Sequence, residues 1–437
     1  MAGTAMLLNG READMGRGRI GRSATLVAVA MLFIVAAPFA CTHHKEPGEP
    51  PPNTPIVRVR LHAQQEKAAL RVTALPTVKT ESEMTALRLN MAFNSDATVI
   101  LTPDGWQISG VRVPGKGELT IWPSEDASVA VNGKPYRGRF RFVPTGGANA
   151  TTFDIVNDVD IDGYLKGVLA RELLRGWNEE TYRAQAIVAR TYALYESRMR
   201  GRDNHWDLFA DQRSQVYGGY ADETARSRQA TEETSGIVLT YGQPGREKIF
   251  KTYFSACCGG VTQSAADAFG EPYIVPLSDQ NLQGLCSQAP RYNWGPVEIN
   301  KADLTRRLRA YFSKRERRDV NMATIAKLDI QSLNRFNRPI RFIATDVNDV
   351  RYSLSGEELR NAINGNADKD NPQKLNSSFF KVINEPGADM IKFVEGHGHG
   401  HGVGLCQYCS EARADAGMRH EDIILSAFPR AKLVRAY

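Results

Sequence analysis

A glutamate set among leucines, two arginines seven residues apart, and a glycine-rich run dotted with histidine and cysteine are the parts of this chain best suited to chemistry. Glu172 follows Leu169 and precedes Leu173 and Leu174. Apolar neighbours of that kind strip water from a carboxyl group, raise its pKa and let it donate a proton near neutral pH. Arg183 and Arg190 return to nearly the same helix face, about 10 Å apart along the axis, so both could line one groove. A cation beside Glu172 would lower its pKa, so at least one arginine is expected to face a ligand instead. In the Gly396 to Gln407 run, little side-chain bulk would let backbone approach a ligand closely, with His401 and Gln407 supplying hydrogen-bonding groups.

Besides Cys41 there are cysteines at 257, 258, 286, 406 and 409. In an oxidising compartment some should pair, and their odd number leaves at least one over. Cys406-x-x-Cys409 follows His397, His399 and His401, a mixture that suits zinc, but the adjacent glycines make that run too mobile for a preset tetrahedral site. Disulfides or free thiols are therefore the expectation, and neither a metal nor a cofactor is assigned.

These residues need elements to hold them. Alternating Val57-Arg58-Val59-Arg60-Leu61, with short runs at 69–72 and 97–101, predicts a β-rich region over 56–137, punctuated by Pro103-Asp104-Gly105, Pro114-Gly115 and Asn132-Gly133 turns. From Asp160 the spacing becomes helical over 164–174 and 178–200. Asn178 is placed to cap the second helix, and Glu179 and Glu180 lie in its positive first turn. Further helices are predicted at 301–312, 359–363, 411–417 and 421–427, with strands over 239–260 and 329–354. Mixed, non-alternating elements give an α+β fold, a β-rich region beside a helical one with the active-site groove between them.

The amino end carries Arg11, Arg17, Arg19 and Arg22, then an apolar stretch from Ala24 to Ala40 that stops at Cys41. Residues 1–40 read as an export segment and the proline-rich 41–55 as a tether. Cys41 is a lipidation candidate; soluble export and an uncleaved anchor remain open beside a lipoprotein. Of the formal charge of +6 over 437 residues, four arginines against Glu12 and Asp14 contribute +2, leaving +4 beyond residue 40. No basic cluster with interleaved aromatics marks a nucleic-acid surface, so nucleic acid is set aside.

Four blocks in order carry a resemblance: Tyr164-Leu-Lys-Gly-Val-Leu-Ala-Arg-Glu172 with Glu180 to Ala193, including Arg183, Gln185, Arg190 and Tyr192; Gln215-Val-Tyr-Gly-Gly219; Ser255-Ala-Cys-Cys-Gly-Gly260; and His401-Gly-Val-Gly-Leu-Cys-Gln407, with weaker likeness at Pro290-Arg-Tyr-Asn-Trp294 and Leu375-Asn-Ser-Ser-Phe379. Together they resemble the stage II sporulation protein D and amidase enhancer family, most strongly over 138–437. The resemblance implies a peptidoglycan lytic transglycosylase cleaving the bond between muramic acid and glucosamine, on strands stripped of peptide, to leave 1,6-anhydro ends. Glu172 would be general acid and base, and Arg183, Gln185, Arg190, Tyr192, Ser255, His401 and Gln407 would contact substrate. The alternative is a non-catalytic, wall-binding activator of a peptidoglycan amidase. Partners would be glycan strands, an amidase, and a membrane reached through the amino-terminal lipid or anchor, which places the protein in the cell envelope facing periplasm or wall. Departures from the family pattern are Arg183 where lysine is common, Leu174 for proline, Cys406 for serine and Cys409 for glycine. Some family members hold zinc just before the Gln-Val-Tyr block, but Phe209 and Ser214 stand here where thiols would be needed.

Overall fold

The computed structural model describes residues 53–437 apart from 73–76, 80–83, 86–95, 114, 124–128, 148 and 202. The export segment, Cys41 and most of the tether lie outside the described residues. Val57 and Val59 turn inward and are fully buried while Arg58 and Arg60 turn outward, as a period of two requires. Their strand, Ile56–Gln65, belongs to a seven-stranded sheet ordered Leu208–Phe209, Ile56–Gln65, Thr152–Asp160, Arg139–Thr145, Leu119–Trp122, Thr77–Lys79, Met84–Thr85. A six-stranded sheet packs against it through a shared core, in which Trp106 meets Phe142 and Phe153 edge-on at centroid separations of 6.3 and 5.2 Å. The boundary expected at 137/138 falls inside this assembly, because Arg139–Thr145 pairs with Leu119–Trp122 on one side and Thr152–Asp160 on the other.

Helix α1, Ile161–Glu172, leaves directly from the strand Thr152–Asp160, and the Asp160 carboxylate accepts the Gly163 N–H at 2.7 Å to cap it. After a short turn, α2 spans Glu179–Arg200. The expected Asn178 cap is present, accepting the Glu180 N–H at 3.0 Å, and the helix closes at Gly201. Helix α3, Ala225–Glu233, was not anticipated: its sequence lacks an apolar stripe, and what starts it is a reciprocal Thr224–Ser227 capping box. Alternate faces of α2 serve two cores. Ala189 and Ala193 join the β-sandwich, whereas Ala184, Ile187 and Val188 pack with Val403, Ile423, Ile424 and Phe428. A separate core over 297–393 is closed by helices Lys301–Glu316 and Gly356–Gly365, with Leu304, Leu308, Phe342, Leu359 and Phe393 buried. The architecture is α+β.

Candidate functional site

Glu172 is the last residue of α1, just before the chain turns extended at Leu173. Leu169 and Leu173 pack with Tyr182, Ala186 and Ala230 beside it, as expected, but Leu174 is 44% exposed and contributes nothing to its enclosure. Glu172 is 2% exposed. Burial pushes its pKa up from 4.5 to about 8, against two weaker opposing effects, hydrogen bonds from the Val216 N–H and the Gln407 amide. Those contacts are long, 3.3 Å from Val216 N to Oε1 and 3.5 Å from Gln407 Nε2 to Oε2. They tether the group weakly.

Three segments meet at that carboxyl. The stretch 216–219 approaches because residue 167 is glycine: a β-carbon there would stand 2.9 Å from both the Gly219 carbonyl oxygen and the Tyr217 ring. The Gly218 N–H donates to the Gly167 carbonyl at 3.2 Å, which sets Val216 over the end of α1. Gln407 opens the helix Gln407–Asp415, and farther along that helix the Glu411 carboxylate accepts the Asn178 N–H at 2.9 Å and the Thr181 hydroxyl at 2.7 Å. This tie to the start of α2 holds Gln407 beside Glu172. Tyr164 and Tyr192 lie within electrostatic reach of Glu172, and both phenols are pushed up, chiefly by burial and in smaller part by nearby charges that include Glu172.

The arginines do not share a groove. Arg190 is fully buried, and each of its five N–H groups has an acceptor: Nε and Nη2 on Asp162 Oδ1 at 3.0 and 2.8 Å, Nη2 also on the Thr231 carbonyl, and Nη1 on the Thr234 hydroxyl and the Ile237 carbonyl. A guanidinium so engaged ties α1 to the end of α3, and its N–H groups are all used within the protein, which leaves the expected sugar contact without support in its contacts. Arg183 is spent on the surface, on Glu179, Glu180 and Glu233. It borders a cavity of about 480 Å³ with Glu180, Arg419 and His420, away from Glu172. Both cations are paired elsewhere, so neither arginine holds Glu172 ionised.

Gln185 is fully buried with neither amide atom hydrogen-bonded, and the Tyr192 hydroxyl is likewise buried and unpaired, its ring edge-on to Tyr253 and Phe254. Ser255 Oγ accepts the Gly402 N–H at 3.2 Å, so it fixes the glycine loop. His401 is buried between Tyr253 and Phe269, its Nδ1 accepts the Val403 N–H at 3.0 Å, and burial drives its pKa well below 6.5, so the ring is neutral. The loop therefore reaches Glu172 through Gln407. The groove expected between β-rich and helical regions is not evident at Glu172, which is covered, and cavities of about 590 and 300 Å³ are lined by other residues. His205, beside the segment where the family's zinc would sit, bonds Asp154 at 3.0 Å.

Sequence reasoning missed Val216, whose contribution is a backbone N–H that no residue type advertises; only its place in the Gln-Val-Tyr-Gly-Gly block hinted at it. Expected disulfides are not formed: Cys257, Cys258, Cys286, Cys406 and Cys409 are all free and buried. The sulfurs of the last four lie within 4.8 Å of one another.

Residues 149–241 match the family described as stage II sporulation protein, SpoIID. An uncharacterized protein of Brachyspira hyodysenteriae is 32% identical over 198 residues, 45% of this chain and 50% of that one. A Bacillus subtilis protein named amidase enhancer is 22% identical over 300 residues, 62% of this chain and 40% of its own length. An uncharacterized protein of Chlamydia muridarum is 33% identical over 134 residues, 30% of this chain and 45% of its own. The chain thus spans half or less of the length of the curated relatives it matches.

Proposed function

The chain carries a SpoIID domain at residues 149–241, and from that premise we propose that it acts on cell-wall peptidoglycan as a lytic transglycosylase with Glu172 as its acid and base. The observation that carries this reading is a buried carboxyl, pKa about 8, with no cation paired to it among the described residues. Such a group keeps its proton at neutral pH and sits near the value at which proton transfer works best. Glu172 would give its proton to the oxygen leaving C1 of the muramic sugar as that bond breaks. The sugar's own C6 hydroxyl then bonds to C1, and the Glu172 carboxylate takes the hydroxyl proton, restoring the acid. Because the substrate supplies the nucleophile, no second carboxylate is needed.

For a glycosidic oxygen to reach Glu172 it must replace the long contacts from Val216 and Gln407, which are weak enough to exchange. Gln407 is then the neighbour placed to accompany the charge change, and the unpaired polar atoms of Gln185 and Tyr192 are of the kind that substrate or ordered water satisfies. Roles for Arg183 and Arg190 in binding substrate have no support in their contacts, that for Ser255 reduces to shaping the loop, and His401 shapes the loop through Nδ1 while its buried Nε2 is unpaired like the atoms of Gln185 and Tyr192.

The enclosure of Glu172 favours a second reading, in which the protein binds wall and activates an amidase, as the name of the Bacillus subtilis relative suggests for that protein. Export and residence in the cell envelope belong to both readings. Among the described residues no helix is long and apolar enough to cross a membrane, so anchoring would fall to the amino-terminal segment. Incubation of the protein with intact and with peptide-stripped glycan strands, each with and without a peptidoglycan amidase, separates the two. Anhydro-ended fragments from the protein alone support the enzyme, whereas faster amidase release with no anhydro ends supports the activator.

A further inference from the structure

Four cysteines from three separate stretches of the sequence converge behind the glycine loop, and their spacing fits a metal tetrahedron. The Cys258 sulfur lies 3.6 Å from that of Cys286 and 3.8 Å from that of Cys409, with Cys406 completing the group. Thiolates about 2.3 Å from a tetrahedral zinc ion stand about 3.8 Å from one another, whereas a four-iron cluster holds its thiolates farther apart. We propose that Cys258, Cys286, Cys406 and Cys409 bind a single zinc ion in a structural site.

The surroundings fit four thiolates. All four side chains are at most 3% exposed, inside a shell that includes Leu282, Ala289, Tyr292 and Tyr408, so water and oxidants are kept out. The Cys258 N–H donates to the Cys406 sulfur at 3.3 Å, a contact that stabilises a thiolate. Cys406 is the N-cap of the helix Gln407–Asp415 without a side-chain cap bond, and Cys409 is in its first turn, where the positive helix end favours negative sulfur. Nearby, Arg338 is fully buried and donates to the carbonyls of Cys258 at 3.1 Å, Val261 at 2.7 Å and His401 at 3.3 Å. A zinc ion with four thiolates carries a net charge of minus two, which the Arg338 guanidinium, within electrostatic reach of Cys258, offsets in part. Cys257 stands outside the set: its thiol points to the Cys286 carbonyl at 3.9 Å.

The site would join the turn at 257–260, the segment around Cys286 and the start of the last helix pair, regions up to 151 residues apart. Gln407 follows ligand Cys406 directly, so the metal would also fix the amide that reaches Glu172. Only this consequence rests on the proposed function; the metal assignment stands without it. The test is zinc content by mass spectrometry of the full-length protein purified without chelators, with Cys409→Ser and Cys257→Ser alongside. About one zinc per chain is expected in wild type and in Cys257→Ser, and loss of most of it in Cys409→Ser. Cobalt in place of zinc should give the sulfur-to-cobalt absorption of a four-thiolate site, a readout independent of either variant's folding. Wild-type protein that holds no zinc and takes up no cobalt, whether its thiols are free or joined in two disulfides, overturns the assignment. So does equal loss of zinc from Cys257→Ser and Cys409→Ser.

Discussion

Replacing Glu172 by glutamine should remove one steep component of the dependence of stability on pH. In the folded protein the carboxyl holds its proton up to about pH 8, whereas in the unfolded chain it releases it near 4.5. Between those values the folded state binds more protons, so stability falls as pH rises, and the loss is complete once pH exceeds the folded value. A pKa difference of that size corresponds to roughly 5 kcal/mol over the whole interval, of which about 4 kcal/mol falls between pH 5 and pH 9. Glutamine keeps the shape and the two contacts but cannot ionise. Urea unfolding of both proteins at half-unit pH steps isolates the effect, because every other titrating group is common to the pair. The variant should equal wild type at pH 5 and exceed it at pH 9. Parallel curves would refute the reasoning, for they would mean that Glu172 titrates alike in both states.

Other outcomes follow from the same contacts. Arg190→Leu leaves the buried Asp162 without its cation, held only by the Ser235 and Tyr437 hydroxyls, and should cost about 3–5 kcal/mol in urea unfolding, where a loss below about 1 kcal/mol would restore a ligand-facing role. Gly167→Ala puts a β-carbon against the Gly219 carbonyl and the Tyr217 ring; about 1–3 kcal/mol of stability should go, along with the Val216 contact. Gln407→Ala removes a donor that favours the charged carboxylate, so the pH above which glycan cleavage declines should move upward from about 8; a downward move contradicts the assigned contact.

Much of the scaffold is legible from residue order because its determinants are local. Asn178 with Glu179 and Glu180 gives the start of α2, Gly201 its end, and alternating Val57 to Leu61 a half-buried strand. The enclosure of Glu172 is half legible. Leu169 and Leu173 turn inward, but Leu174 lies past the helix end, where α-helical spacing no longer decides which way a side chain points. Arg190 misleads because its partners, Asp162 and the acceptors over 231–237, are brought in by tertiary packing from both sides in sequence. The cysteines are the extreme case, since of the four only Cys406 and Cys409 are neighbours and Cys258 and Cys286 arrive from much earlier in the chain. Spacing alone offered histidines as partners for Cys406 and the adjacent glycines spoke against them; burial turns His401 toward Tyr253 and Phe269.

The central claim is that Glu172 transfers its proton to the glycosidic oxygen. The most direct measurement is the rate at which anhydro-ended fragments form from peptide-stripped glycan strands at neutral pH, for wild type and for Glu172→Gln under identical conditions. Loss of the acid should slow that rate by roughly 10²- to 10⁴-fold while the variant remains folded. Anhydro ends produced at the wild-type rate by Glu172→Gln would contradict it.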